Sequence, residues 1–115
     1  MLIQINTDAT LTSHEDRREE IKAVVTNALE HFSERISRVE VHLSREDGHP
    51  YVKHQLRCVM EARVEGRPPQ AVTHHSDSMD EAVDGAAEKL LRVLEHSLGR
   101  AERRDRESVR HHEVK

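Results

Sequence analysis

Residues 53–65 read Lys53-His54-Gln55-Leu56-Arg57-Cys58-Val59-Met60-Glu61-Ala62-Arg63-Val64-Glu65, and their parity decides the architecture. Leu56, Cys58, Met60, Ala62 and Val64 fall on one side of a strand; Arg57, Glu61, Arg63 and Glu65 fall on the other, with Val59 the exception. Successive strand side chains point to opposite faces, so this pattern describes a sheet with one face buried and one in water, as in antiparallel sheets covered on one side. Residues 38–45 repeat it, with Val39, Val41 and Leu43 opposed to Glu40, His42 and Ser44. The cluster Glu46-Asp47-Gly48-His49-Pro50 turns the chain between the two strands, and residues 66–69 turn it again. A weaker fourth strand follows at 70–75, expected at an edge because Pro68 and Pro69 guard its start.

Two segments carry the helical period instead. Ile21, Val24, Val25, Ala28, Leu29 and Phe32 share one face of a 3.6-residue repeat, and Ser13 with Asp16 resembles a capping box before them. Asp77 and Ser78 offer N-caps to a second helix, with Ser78-Met79-Asp80-Glu81 as a full capping-box pattern. That helix buries Met79, Ala82, Val83, Ala86, Leu90, Val93 or Leu94, and Leu98, and Gly99 is placed to stop it. Residues 1–6 alternate as a short opening strand. The order is β-α-β-β-β-α. A crossover helix makes the first two strands parallel and right-handed in connection. The rest form an antiparallel meander, giving an α+β domain of two layers: a four-stranded mixed sheet with both helices on one face, a double-stranded-RNA-binding-domain-like layout. This domain is expected to span residues 1–99, and the almost wholly charged residues 100–115 read either as a frayed helical extension or as a flexible tail.

Composition narrows the function. The chain has 115 residues, 35% hydrophobic and 35% charged, and its only aromatics are Phe32 and Tyr51, so the core is aliphatic and thin, which excludes most folds needing a deep cavity. No apolar run suits a membrane span, no signal peptide is read at the start, and the single Cys58 excludes an intrachain disulfide, so the expectation is a cytoplasmic chain. Cys58 shares inward parity with Leu56 and Met60 and reads as a small, inert core side chain. There is no glycine-rich phosphate loop, no G-x-S-x-G and no H-E-x-x-H. His74 and His75 are strand neighbours that point to opposite faces, and no second Cys or carboxylate cluster completes a metal set. These histidines, with His111 and His112, read as solvated strand and tail positions. The expectation is a non-enzyme without cofactor or metal. Neither aromatic falls in a predicted strand, so RNA cannot be read by stacking on the sheet; phosphates, shape and charge remain.

The formal net charge is −4, divided as −6 over residues 1–99 and +2 over 100–115. On a helical wheel Lys89, Arg92 and His96 form one narrow basic stripe, which Arg100 and Arg103 extend if the helix continues past Gly99. Asp84, Glu88 and Glu95 form a separate acidic stripe. A charged partner at the basic face fits this arrangement. A solvated helix laced with pairs such as Glu88–Arg92 fits it as well.

The run Ser78-Met79-Asp80-Glu81-Ala82-Val83-Asp84-Gly85-Ala86-Ala87-Glu88-Lys89-Leu90-Leu91-Arg92-Val93-Leu94 resembles the last helix of the ribosome hibernation promoting factors, also called ribosome-associated inhibitor A or sigma-54 modulation proteins. Leu29-Glu30-His31-Phe32-Ser33-Glu34-Arg35-Ile36, followed by Val39-Glu40-Val41, resembles that family's first helix and second strand. The resemblance covers about residues 1–98 and implies the β-α-β-β-β-α fold. It also implies a translation inhibitor that occupies the mRNA and tRNA channel of the small ribosomal subunit under stress, against 16S rRNA; separately, the chain is expected to be a monomer. By position it implies RNA contacts at Lys89 and Arg92, with His96 where a family lysine is common; Arg100, Arg103 and, on the first helix, Lys22 complete the candidate set. The first helix carries more acids than the family pattern: Glu15, Asp16, Glu19 and Glu20 stand beside Arg17, Arg18 and Lys22. A second hypothesis is therefore a non-ribosomal protein-interaction module of the same fold, using the acidic stripe.

Ten histidines in an acidic chain supply a pH term. Protonation of His31, His42, His74, His75 and His96 would add positive charge as the cell acidifies. Ribosome affinity is expected to rise between about pH 8 and about pH 6 at matched salt, and equal affinities at the two would contradict this.

Overall fold

The period-two and period-3.6 segments become four strands and two helices. The computed structural model describes residues 1–8, 17–45 and 56–99. In order they form β1 (Leu2–Thr7), α1 (Arg18–Ala28), a 3₁₀ turn (Glu30–Phe32), β2 (Ile36–Arg45), β3 (Leu56–Val64), β4 (Gln70–Ser76), α2 (Met79–Leu94) and a π-helical turn (Glu95–Gly99). The sheet order is β1-β2-β3-β4, with β1 parallel to β2 and the other pairs antiparallel.

Register aligns the inward side chains in rows. Ile5, Val41, Met60 and Val72 form one row across all four strands; Thr7, Leu43, Cys58 and His74 form the next. Val39, Val41, Cys58, Met60 and Ala62 are fully buried there, beneath Val25 and Leu29 from the first helical segment and Ala82, Ala86, Leu90 and Leu94 from α2. The opposite face carries the charged side chains, as parity predicts, with Arg57 and Arg63 exposed and Arg38, Glu40 and Glu61 half-buried.

Local chemistry explains the ends of α2. Ser78 is its N-cap in extended conformation, and its Oγ accepts from the Glu81 N–H at 3.2 Å. The Glu81 carboxylate accepts instead from the Ser76 hydroxyl at 2.9 Å, tying the helix start to the buried end of β4. At the other end Gly99 closes a π turn without adopting the left-handed conformation expected of a stop residue; among the described residues only Gly66 has a positive φ, 77°. The reason lies in the spacing Leu90, Leu94, Leu98. Each four-residue step in an α-helix overshoots a full turn by about 40°. A widened turn offsets that drift, and Leu98 is fully buried.

Three other expectations shift. The predicted cap at Ser13 and Asp16 lies outside the described residues, and Arg17 occupies the N-cap position of α1 without a side-chain cap bond. Its guanidinium meets the carboxylates of Glu20, at 3.3 Å, and of Asp80 on α2, so it fastens the two helix starts together. Phe32 is buried as expected, but from the 3₁₀ turn rather than from α1. His74 is not a solvated position. It stands in an inward row, and its ring lies under Gly85 of α2, where a Cβ would run into the imidazole. His75 faces out. Residues 46–55, with the predicted turn, Tyr51 and the start of the third strand, lie outside the described residues.

Two consequences can be measured. Alanine normally favours a helix interior over glycine by about 1 kcal/mol, but Gly85→Ala is expected to lower the thermal midpoint because His74 must move. In a His74→Ala background the same change should raise it; additive effects across the four proteins would contradict the contact. Burial pushes the Cys58 thiol up from 9.0 to about 12. The folded state therefore holds this proton more tightly than the unfolded chain: the resulting stability is present below about 9.0 and is lost as pH climbs toward about 12. Iodoacetamide at about pH 8 should label Cys58 slowly in the native protein and rapidly in urea; equal rates would contradict its burial.

Candidate functional site

The sequence of α2 separates three kinds of residue around its axis, and packing gives each a direction. Apolar positions face the sheet. On one flank the Lys89 ammonium donates to the Thr73 carbonyl of β4 at 2.9 Å, which directs that flank to the β4 edge. Arg92 and His96, three and seven residues on, are exposed, and Arg92 pairs with Glu88 one turn back at 2.5 Å. The side chains of this pair are 73% and 62% accessible, so water screens it. From Glu95 the π turn advances each residue by less than an α-helix does, so His96 departs from the ideal wheel. Arg100 and Arg103 lie outside the described residues.

The other flank of α2 turns toward α1. Asp80 and Asp84 line a groove of about 250 Å³ together with Glu20, and Ile21, Val24 and Val83 make its floor. Lys22 is on the far side of α1, where it lines a second groove with Arg18 and residues 3–7 of β1. The structure therefore does not bring Lys22 to the α2 stripe. Lys89 sits at the β4 edge and Lys22 at the β1 edge, three strand spacings or about 14 Å apart across the sheet, with an acidic groove between them.

The outer face of the sheet is also charged, but its charges are occupied with one another. Glu40, 19% accessible, lies 3.0 Å from Arg38, 3.9 Å from Arg63 and 4.0 Å from His42. Arg63 also reaches Glu61 at 3.3 Å. Register sets Glu40 directly opposite Glu61, a like-charge pair that the arginines offset. Asn6 meets His42 at 3.5 Å, and the Arg38 guanidinium donates to the Gln4 side-chain oxygen. Among the described residues no group of three or more His, Cys, Asp or Glu side chains is arranged to hold a metal ion. No helix among them is long and apolar enough to cross a membrane.

The sequence reading missed Arg18 as the companion of Lys22. Their i, i+4 spacing was the available signal, but the β1 edge beside them is a long-range neighbour.

A family model described as sigma 54 modulation protein / S30EA ribosomal protein matches residues 10–102. No curated protein matches the chain. Among solved structures, the fold is similar to the N-terminal domain of Protein Y from Thermus thermophilus, with a TM-score of 0.65 and 14% identity over 84% of this chain and 98% of that one. It is similar also to a ribosomal subunit interface protein from Coxiella burnetii, with a TM-score of 0.61 and 17% identity over 86% of this chain and 99% of that one. At these identities the likeness is one of fold.

Proposed function

The chain belongs to the sigma 54 modulation protein / S30EA ribosomal protein family, and from that membership we propose that it is a ribosome hibernation factor of the cytoplasm. It binds the small ribosomal subunit by charge and shape and blocks the mRNA and tRNA channel under stress, without catalysis. The observation that carries this reading is the family match across residues 10–102, which spans both helices and the whole meander.

The chemistry of α2 supports it. An exposed i, i+4 ion pair is worth only about 0.3–0.5 kcal/mol, so a phosphate can take Arg92 from Glu88 at little cost. Lys89 has three N–H donors and gives one to Thr73, leaving two for a phosphodiester. His96 follows on the same helix, and Arg100 and Arg103 extend the row in sequence. Lys22, at the far edge, is not part of that row. In this reading 16S rRNA supplies the phosphates that the row meets, and one copy of the chain presents it.

A second reading has an observation of its own. The groove between α1 and α2 carries Glu20, Asp80 and Asp84 over an apolar floor; Arg17 takes up Glu20 and Asp80, and the exposed Asp84 is left to meet a basic amphipathic segment of a protein. Resistance of a stoichiometric complex to RNase would favour it.

Co-sedimentation with purified small subunits at two ionic strengths tests the main reading. Binding is expected at low salt and should fall steeply as salt rises. Lys89→Glu with Arg92→Glu should weaken it by about tenfold or more and reduce the salt slope by about two, with the melting curve as a check on folding. Undiminished binding by that variant, or none by the native chain at low salt, would contradict the proposal.

A further inference from the structure

The two edges of the sheet are treated differently, and the difference points to a second binding surface. An exposed edge offers unpaired N–H and C=O groups to any extended chain, and proteins usually blunt it. At β4 the blunting is visible: Pro68 and Pro69 precede the strand, and Lys89 occupies the Thr73 carbonyl in its middle. At β1 nothing comparable is found among the described residues. The Asp8 N–H donates to the Leu43 carbonyl of β2 at 3.1 Å, which sets the phase of the strand. Counting back by twos, Asn6 and Gln4 turn their backbone groups to β2, and Thr7, Ile5 and Ile3 turn theirs outward. A groove of about 430 Å³ follows this edge along five consecutive residues, Ile3 to Thr7, and is closed on the helix side by Arg18 and Lys22. At the start of the strand Leu2 is 62% exposed.

We propose that the open edge of β1 receives an extended, acidic peptide segment, which joins the sheet as a fifth strand with its carboxylates at Arg18 and Lys22. Among the described residues no carboxylate lines the groove, and the nearest described partner of Lys22 is Glu19, at 3.7 Å and largely in water. Backbone pairing supplies the affinity, and the two cations select the charge of the guest. An apolar side chain of the guest covers Leu2. A second copy of this chain fits poorly, because joining two β1 edges places Arg18 and Lys22 of one copy against those of the other. RNA fits poorly as well. Phosphates only accept hydrogen bonds, and the Ile3, Ile5 and Thr7 carbonyls would face them without a donor. The surface is separate from the α2 row, so it stands or falls apart from ribosome binding.

Fluorescence anisotropy of the full chain at low salt tests this with three labelled probes: an octapeptide of alternating glutamate and valine, its lysine–valine counterpart, and an oligo-uridylate. The glutamate peptide is expected to bind and to shift the amide resonances of Ile3, Ile5 and Thr7. Thr7→Pro removes one outward N–H without touching the β2 ladder and should weaken binding by about fivefold or more. Arg18→Glu with Lys22→Glu should transfer binding to the lysine peptide. Two N-methylated glutamate peptides, blocked at odd or at even amides, test the pairing on the native chain, so the result does not depend on the variants folding. One should bind and the other should not. Equal binding of the two methylated peptides, no binding of the glutamate peptide, or oligo-uridylate shifting the same amides in its place would overturn the proposal.

Discussion

Burial of one side of the sheet is the constraint on which the rest depends. With Phe32 as the only aromatic in the core among the described residues, the interior is built from aliphatic side chains, Cys58 and methionine, and it is one layer deep. Fully burying each such side chain contributes roughly 1.5–3 kcal/mol, so the rows through Val41, Met60 and Val72 and through Leu43 and Cys58 must all meet the helices. A one-residue slip of β3 would send Leu56, Cys58, Met60, Ala62 and Val64 into water together. That register then fixes everything outside the core: which charges share the outer face, which strands become edges, and which flank of α2 is left over.

The layers, their order and their inward side chains were legible because each depends on a local period. Residues 38–45 and 56–64 announce their buried face by alternation alone, and Met79, Ala82, Val83, Ala86, Leu90 and Leu94 announce theirs by helical spacing. What escaped the sequence depends on register or on contacts between distant segments. His74 is a polar residue at an inward position, and it fits only because residue 85, on another element, has no side chain. The π turn offsets a drift in the leucine spacing that the wheel shows, but the wheel does not say that the backbone will widen to correct it. Lys22 and Lys89 read as one basic set in composition, but the order of the strands puts them at opposite edges.

This separation organises the surface electrostatically. The basic flank of α2 runs along the β4 edge, the acidic groove lies between the helices, and Arg18 and Lys22 stand at the β1 edge. On the outer face of the sheet Glu40 draws Arg38 and Arg63 toward it and lies 4.0 Å from His42. A net charge of −4 does not by itself exclude a polyanionic partner, because charges act locally, within a Debye length of roughly 8 Å at physiological salt.

Three exposed histidines allow a direct test of this orientation. His96 lies on the helix side, and His42 and His75 lie on the outer face of the sheet. Diethyl pyrocarbonate modification of the chain bound to small subunits, read by mass spectrometry, should find His96 protected while His42 and His75 react as in the free protein. Protection of His42 and His75 with His96 still reactive would place the sheet, not the helices, against the ribosome, and would contradict the account.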